Sequence, residues 1–365
     1  MTVKELREEA KSLGLVGYSK LNKADLEQLI SVTKSEVIEM TKEEFETSIT
    51  ANTENRKVLG YDNEDDWHEL RAKRIGGSDI GAIIGVNPYK SIVDVYVDKT
   101  EGSNFKGNEL THWGHMLEGT ILKEFSSKHK ELIVYEVPYS VVNDFLIANL
   151  DGALKDKETG DYGVLEIKTT SLWNKKDWED DVIPQYYYAQ VQHYLMLTGY
   201  KFAYIAVLIG GQQYKEFKIE RNEEDINLIR NKATEFYQEN LLKKIPPMPD
   251  GSDAYMNYLK QKALEIENNE VIEFADLEEK AAKVKELSKE INSLKKEQDL
   301  FKEQIMLELI NNGTQKGVAG KFKFNIQARK TPDFEAMAKE NLELMEQYKE
   351  LESKHQKTSK FLMVR

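Results

Sequence analysis

The sequence predicts an α/β protein in which helices flank a mixed β-sheet. Residues 67–245 alternate between segments with helical hydrophobic spacing and short segments of alternating or continuous apolar residues. Some of the short segments, such as residues 202–209, are rich in β-branched and aromatic side chains, which favour strands. The chain has 365 residues, of which 40% are apolar and 32% charged, so it is long enough to bury a large core.

The same patterns place the individual elements of this region. The predicted helices lie at residues 78–84, 92–99, 113–125, 185–198 and 222–244. The predicted strands lie at residues 134–142, 145–149, 164–168, 202–209 and 213–219. Residues 87–89 and 157–161 have turn composition, and a proline-rich segment at residues 246–251 ends the region.

Composition divides the chain into four parts. We expect a small helical module over residues 1–30, an acidic linker over 31–66, the main domain over 67–250 and a helical arm over 251–365. The two short helices of the first part resemble SAP-like or Rho-N-like helix–extended–helix modules, many of which bind nucleic acid. A helical hairpin that docks on protein, or simply caps the chain, explains this pattern equally well.

The arm is expected to contain a long helix over residues 270–311, a strand over 321–327 and a returning helix over 334–354. Apolar residues follow heptad spacing along the long helix, with Gln298 at one core position. The apolar members are Val284, Leu287, Ile291, Leu294, Phe301 and Ile305. We expect the returning helix of the same chain, rather than an oligomer, to cover them.

Charge and cysteine content limit the possible functions. The chain has no cysteine, which excludes disulfide frameworks, thiolate zinc sites and a cysteine nucleophile. No apolar run reaches the roughly 20 residues of a membrane span, and the N-terminal segment lacks a signal-peptide core, so a cytoplasmic location is expected. The net charge of −13 argues at first against a nucleic-acid partner. Residues 35–66, however, contain ten acids and three bases and so carry −7 of it.

Two acidic residues and a lysine form the most informative motif. Asp151 ends a strand at a tight turn, and Glu166 and Lys168 follow in an apolar strand, where alternation places both side chains on one face. A hairpin would bring Asp151 beside Glu166. Paired carboxylates favour a hard divalent cation such as Mg²⁺ or Mn²⁺. A bound cation lowers the pKa of water, which supplies a nucleophile for a phosphodiester, while a nearby lysine can orient water or stabilise charge on the phosphate.

The order of the surrounding residues resembles a known nuclease superfamily. Glu118 lies upstream on a predicted helix, and Gln190 and Tyr194 lie four residues apart on a downstream helix. This order of residues resembles the PD-(D/E)XK superfamily and its RecB-like branch. The order is a glutamate on a helix, an aspartate at a strand, an E-x-K motif on a strand and a Q-x-x-x-Y motif on a helix. The resemblance implies a restriction-endonuclease-like core.

The opening segment narrows the resemblance further. A W-x-x-x-R motif from Trp67 to Arg71, a G-G-S helix start at residues 76–78 and a G-x-N-P-Y turn at residues 85–89 are similar to the YqaJ and lambda-type phage exonucleases. The similarity spans about residues 67–210. Its motifs occur in the family order, which is more specific than any one of them.

The resemblance implies a role for each matching residue. Asp151 and Glu166 would ligate metal, with the Ile167 carbonyl as a further ligand and Glu118 at a second ion, giving two ions per site. Lys168 would position and activate the attacking water, and Gln190 would bind near the phosphate. Arg71 and Ser78, the latter as a helix N-cap, would hold the terminal 5′-phosphate, with Arg74 or Lys73 as an alternative to Arg71. Tyr194 is grouped with the DNA-binding residues, although packing and hydrogen bonding explain it better than catalysis.

The function implied is a Mg²⁺-dependent 5′–3′ exonuclease on duplex DNA ends in phage or prophage recombination. Its product would be a 3′ overhang for a single-strand annealing protein, and a homo-oligomer, as closed rings occur in lambda-type relatives, is expected. The alternatives are an endonuclease or helicase-associated nuclease of the same fold, and a non-catalytic adaptor that binds DNA ends. His112, His115 and His193 are read as structural, because sites of this type use oxygen ligands. Core packing and base stacking are both open for Trp113, Trp173, Trp178 and Tyr186 to Tyr188.

Overall fold

The computed structural model describes residues 1–13, 15, 17–34, 37–49, 56–103, 107–180, 182–268, 270–328 and 341–355. Residues 1–256 form one compact unit and residues 257–365 a second. None of the described helices is long and apolar enough to cross a membrane.

The first unit contains the helices and strands of the main domain. Its helices are α1 (Val3–Ser12), α2 (Lys23–Thr33), α3 (Lys42–Ser48), α4 (Glu64–Ala72), α5 (Gly77–Ile83), α6 (Ile92–Thr100), α7 (Glu109–Lys128), α8 (Gln185–Thr198) and α9 (Glu223–Phe236). Helix α10 (Asp253–Leu264) begins in this unit and ends in the next. Its strands are β1 (Val37–Glu39), β2 (Arg56–Leu59), β3 (Ile75–Gly76), β4 (Leu132–Glu136), β5 (Ser140–Asn143), β6 (Leu146–Asn149), β7 (Gly152–Asp156), β8 (Tyr162–Thr170), β9 (Phe202–Ile209) and β10 (Gln213–Glu220).

A six-stranded mixed sheet forms the centre of this unit. Its strand order is β1-β4-β7-β8-β9-β10, with β7 and β8 antiparallel and β8 and β9 parallel. A smaller four-stranded sheet has the order β2-β5-β6-β3. The predicted fold class, a mixed sheet flanked by helices, is therefore confirmed. The predicted strand over residues 134–142 is in fact two strands, β4 in the large sheet and β5 in the small one.

Strand β8 is buried because a strand lies on each side of it and a helix covers each face. Val164 packs in the core beneath α8, with Val191 and Leu195, whereas Leu165 and Ile167 pack under α7. Glu166 and Lys168 have the same parity as Val164 and face the α8 side, as alternation predicted.

The segment predicted to be a linker is mostly folded. In the described part of residues 31–66, β1 pairs in parallel with β4 and β2 pairs with β5. Met40, Phe45 and Val58 are buried in the main core. The prediction was wrong because it counted the polar surface residues and gave too little weight to a few large apolar ones at the buried positions.

The first two helices form a small module with its own core of Leu6, Ala10, Leu26 and Ile30. Helix α1 begins with a capping box between Thr2 and Glu5, which satisfies free N–H groups at its start. The module lies against α7, where Gln28 donates a 3.5 Å hydrogen bond to Glu124.

The described residues of the second unit form the end of α10, a long helix, a hairpin and a further helix. Helix α11 spans Glu278–Asn311, strands β11 (Lys316–Ala319) and β12 (Phe322–Asn325) pair antiparallel, and α12 spans Leu342–Lys354. The hairpin replaces the single predicted strand, and residues 334–340 of the predicted returning helix lie outside the described residues. The six apolar heptad side chains of α11 are exposed, so the described part of α12 does not cover them as expected.

Candidate active site

The turn between β6 and β7 brings Asp151 to the middle of the central sheet. Because Gly152 pairs with Leu165, Asp151 lies opposite the next residues of β8, and its Oδ2 accepts a 2.7 Å hydrogen bond from the Ile167 amide. The hairpin that the sequence indicated therefore exists and positions Asp151 beside Glu166. Gly152 fits this turn because a side chain there would approach the Tyr135 carbonyl within 3.1 Å.

Glu166 lies at the centre of a buried polar network. Its carboxylate is 1% exposed, and its Oε1 accepts hydrogen bonds from Lys168 and, at 2.6 Å, from Gln190 Nε2. Its other oxygen, Oε2, is buried and has no hydrogen-bond partner. A buried carboxylate oxygen without a partner costs free energy, so this atom marks a place where a further positive group would be favourable.

Glu118 on α7 lies close to the same two carboxylates. Burial, then the charge of Asp151 and a hydrogen bond to it, raise the pKa of Glu118 to about 8. Burial, and then the charge of Asp151, also raise the pKa of Glu166. The carboxylates are thus close enough to oppose one another's ionisation, as in other shared acidic sites.

The chemistry of the acidic residues suits a hard divalent cation. Among the described residues, no group of three His, Asp or Glu side chains has the geometry of a metal site in this structure. Lys168 and Gln190 occupy one oxygen of Glu166, while the other is unpartnered. Three carboxylates with one orphaned oxygen are the donor set that Mg²⁺ or Mn²⁺ prefers, and a bound cation would relieve their mutual repulsion.

Lys168 is held in its cationic form. Burial alone would lower the pKa of its ammonium, but Glu166 and Asp151 outweigh burial and raise the pKa above its ordinary value. Its Nζ also lies 5.0 Å from the centre of the Tyr187 ring, a cation–π distance. An ammonium in this position can stabilise charge on a phosphate or position a water molecule, the two roles that the sequence indicated.

Gln190 is positioned by a close crossing of α5 and α8. Its Nε2 also contacts the Tyr194 hydroxyl at 2.9 Å. A Cβ atom on Gly77 would lie 2.5 Å from Tyr194 and 2.9 Å from Gln190. Gly77 therefore allows the contact that places Gln190 against Glu166. Tyr194 is buried and accepts a hydrogen bond from Gln190. It was expected among the DNA-binding residues, but a buried side chain offers no surface to DNA.

A cavity of about 900 Å³ lies next to this crossing. Arg71 and Ser78 both line it, and Arg71 Nη2 donates a 3.2 Å hydrogen bond to Ser78 Oγ. The guanidinium also lies 4.4 Å from the centre of the Trp67 ring. Arg71 and Ser78, which the sequence analysis assigned to one site, are therefore in direct contact in the structure. Ser78 is not the N-cap, however: Gly76 has that position, and Asp79 accepts from its amide.

The two other bases considered for the phosphate face elsewhere. Arg74 donates to the Leu70 carbonyl at 3.3 Å, and its Nε is buried without a partner. Lys73 pairs with Glu69 on the surface. Since neither lines the cavity, the geometry favours Arg71 of the three.

The histidines and aromatic residues divide by burial. His193 is fully buried with Nε2 3.0 Å from the Ile147 carbonyl, and burial lowers its pKa to about 4, so it is a neutral packing residue. His115 is exposed, 3.5 Å from Glu118. Trp178 belongs to the core, whereas Trp113 and Trp173 are exposed.

Of two aromatic residues near the acidic cluster, sequence analysis named Tyr187 as a packing or stacking residue and missed Tyr61. Tyr187 faces Lys168, and burial and then the charge of Glu118 raise the pKa of Tyr61. Tyr61 lies in the supposed linker, so only a correct reading of that segment could have found it.

Comparison with known proteins identifies the family. The chain is 37% identical over 230 residues to the uncharacterized protein YqaJ of Bacillus subtilis (strain 168), covering 60% of this chain and 70% of that protein. This chain belongs to the YqaJ family. The model of the YqaJ-like viral recombinase domain matches residues 66–201, which include all ten candidate site residues. The family assigned from motifs is therefore confirmed.

More distant similarities are to a viral protein and to two crystal structures. The uncharacterized protein R354 of Acanthamoeba polyphaga mimivirus is 28% identical over 145 residues, 36% of this chain and 26% of that protein. The alkaline exonuclease LHK-Exo of Laribacter hongkongensis is 20% identical, with a TM-score of 0.41 over 55% of this chain and 98% of that one. A phage related exonuclease from Haemophilus somnus 129PT is 16% identical, with a TM-score of 0.35 over 49% and 99% of the two chains.

Proposed function

We propose that this YqaJ-family chain is a phage-type exonuclease that, with a bound divalent cation, degrades one strand of duplex DNA from its 5′ end. The observation that carries the proposal is the unpartnered buried oxygen of Glu166 beside Asp151 and Glu118, with Lys168 and Gln190 on the same carboxylate. These residues occur in the order that the nuclease superfamily shows.

Asp151 and Glu166 would hold one cation, Mg²⁺ or Mn²⁺, with the Ile167 carbonyl as a further oxygen, and Glu118 would bind a second cation or its water. When bound, these cations would supply an activated water and stabilise charge on the phosphate. The Lys168 ammonium would neutralise negative charge that develops on the phosphate during attack. The Gln190 amide, which donates a hydrogen bond to Glu166 in this structure, would instead donate one to a phosphate oxygen and so orient the phosphate.

The cavity lined by Arg71 and Ser78 would explain a preference for DNA ends. Arg71 and Ser78 would bind the terminal 5′-phosphate there, since a guanidinium binds phosphate with paired hydrogen bonds. An end held in this cavity would fix 5′–3′ polarity and leave a 3′ overhang. As in the family that the motifs resemble, such an overhang would be the substrate of a single-strand annealing protein in recombination.

The Lys168→Ala variant tests the chemistry. We expect cleavage of linear duplex in Mg²⁺ to fall by on the order of 100- to 1000-fold, because a preorganised positive charge is lost. DNA-end binding should persist. Lys201→Ala is the matched control, since Lys201 pairs with Asp161 on the surface. Undiminished cleavage by Lys168→Ala would contradict the proposed site.

A comparison of DNA substrates separates the proposal from its alternatives. Linear duplex labelled at either end should lose its 5′ label first, and covalently closed circular plasmid should stay intact. Nicking of the plasmid would indicate an endonuclease instead. An adaptor without catalysis would cut nothing and would show no carboxylate-dependent Mn²⁺ binding by calorimetry.

The Arg71→Ala variant tests the end-binding cavity. We expect the wild type to digest 5′-phosphorylated duplex faster than 5′-hydroxyl duplex, and Arg71→Ala to bring this ratio close to one. The rate on the 5′-hydroxyl substrate should change little, because that end offers no charge to Arg71. Lys73→Ala removes the same charge outside the cavity and should keep the wild-type ratio. A ratio unchanged in Arg71→Ala would exclude this role.

A further inference from the structure

The long helix α11 carries an uncovered apolar stripe. Its six side chains are between 39% and 62% exposed: Val284, Leu287, Ile291, Leu294, Phe301 and Ile305. Among the described residues of this unit, the β11–β12 hairpin packs at the end of the helix, where Leu309 is buried and would lie 2.9 Å from a Cβ on Gly317. An apolar stripe along three heptads is costly in water and indicates a partner surface.

The spacing of the stripe identifies the kind of partner. Val284, Ile291, Gln298 and Ile305 fall at the a positions of a heptad repeat, and Leu287, Leu294 and Phe301 fall at the d positions. This period of 3.5 residues suits another helix wound around α11 in a left-handed supercoil. β-branched residues at the a positions with leucine at the d positions favour a parallel coiled coil of two helices. A single polar residue at an a position fixes the register of the two helices.

The charges beside the stripe distinguish a second copy of α11 from an unrelated helix. Glu290 and Glu297 occupy g positions, and Lys295 and Lys302 occupy the e positions of the following heptads. In a parallel pair of identical helices, each g residue faces the e residue five positions further along the other helix. Glu290 would therefore face Lys295 of the second copy, and Glu297 would face Lys302. An antiparallel pair would place glutamate against glutamate.

We propose that α11 pairs with α11 of a second copy of this chain as a parallel two-stranded coiled coil over residues 284–305. Gln298 of the two copies meets in the middle of the seam and sets its register. Lys302, which now contacts Gln298 and Asp299 of its own helix, needs only a change of rotamer to reach the second copy. The pairing requires neither the nuclease unit nor its activity.

Single introduced cysteines test the arrangement, because the chain has no cysteine of its own. Val284→Cys and Ile305→Cys lie at opposite ends of the stripe, and Lys289→Cys lies on the outer face as the matched control. Under mild oxidation of the full chain, each of the first two variants alone should give a covalent dimer on a non-reducing gel. Lys289→Cys should remain a single chain.

Other cross-linking patterns would overturn the proposal. Covalent dimers that form only when the Val284→Cys and Ile305→Cys variants are mixed would show an antiparallel pair. Equal cross-linking of Lys289→Cys would show random collision. If none of the three variants forms a dimer, the stripe does not bind a second copy.

A second experiment measures the strength of the association. Ile291→Lys with Leu294→Lys places charge in the seam, and Asn292→Lys with Ser293→Lys adds the same charge at the neighbouring outer positions. By sedimentation equilibrium, the seam variant should raise the dimer dissociation constant at least roughly 100-fold, since two buried apolar side chains are lost. The control should behave as the wild type, and circular dichroism checks that both stay helical. Equal dissociation constants in both variants would contradict the seam.

Discussion

Glu166 shows how a single residue gains its chemistry from burial. On an exposed strand, a glutamate two residues before a lysine would be a solvated ion pair of little consequence. Here the carboxylate is 1% exposed, one oxygen is shared by Lys168 and Gln190, and the other is unpartnered. In this buried position, the unpartnered oxygen of Glu166 lacks the positive group that a bound cation would supply.

The raised carboxyl pKa values predict how cation binding depends on pH. Burial raises the pKa of Glu118 to about 8, so below pH 8 this carboxyl holds a proton that a cation must displace. We expect Mn²⁺ affinity to rise between pH 6.5 and pH 8.5 and proton release to accompany binding. Calorimetry in buffers of different ionisation enthalpy measures both quantities. Glu118→Gln should release fewer protons, and a pH-independent affinity in the wild type would contradict this prediction.

At the scale of elements, the crossing of α5 and α8 connects the two parts of the candidate site. Gly77 and Gly81 on α5 let the helices approach, because a Cβ on either would come within 3 Å of α8 side chains. Ser78 of the same turn lines the cavity, while Gln190 on α8 contacts Glu166. Gly77 and Ser78, neighbours on α5, thus place the cavity next to the acidic cluster.

Substitution of Gly77 tests this connection. In Gly77→Ala the added methyl group would displace Gln190 and Tyr194, which we expect to lower the free energy of unfolding by about 1–3 kcal/mol and the cleavage rate by about 100-fold. Gly119→Ala is the matched control, because a Cβ at Gly119 meets nothing within 4 Å. Chemical denaturation and initial rates measure the two effects. A normal rate in Gly77→Ala would show that this contact does not position Gln190.

At the scale of the molecule, buried charge holds the opening segment on the main domain. Asp79 is buried between Lys90 and Lys99, at 3.2 and 2.9 Å, and Lys99 also donates to the Arg71 carbonyl. Burial opposes its ionisation, but the two lysines outweigh burial and lower the pKa of Asp79 to about 2. One ionised carboxylate thereby connects α4, α5 and α6 beneath the cavity.

This carboxylate predicts a stability profile in acid. Because its folded pKa is below the ordinary value of 3.8, its contribution is complete above about pH 4 and is lost as the pH falls towards about 2. In Asp79→Asn, the free energy of unfolding should no longer fall between about pH 4 and pH 2 through this group. At pH 7 it should be about 3 kcal/mol lower than in the wild type, because two lysines lose their ionic partner. Denaturation series at several pH values measure this, with the exposed Asp65→Asn as control. Equal profiles for the two variants would exclude this role.

The sequence by itself determined the alternating pattern of the main domain, the facing of Glu166 and Lys168, and the family. These follow from local periodicity and from motif order, which need no knowledge of distant contacts. The helix limits at residues 185–198 and the strand at 202–209 agree with the structure for the same reason.

Only the tertiary structure decided the features that depend on contacts between distant segments. The described part of the acidic stretch before residue 66 is folded because β1 and β2 pair with strands far along the chain, which composition does not reveal. Arg71 lines the cavity and Arg74 does not, because their side chains point in different directions, and the carboxylates of Glu166 and Asp151 raise the pKa of Lys168. The apolar stripe of α11 was visible in the sequence, but its exposure, and so its need for a partner, was not.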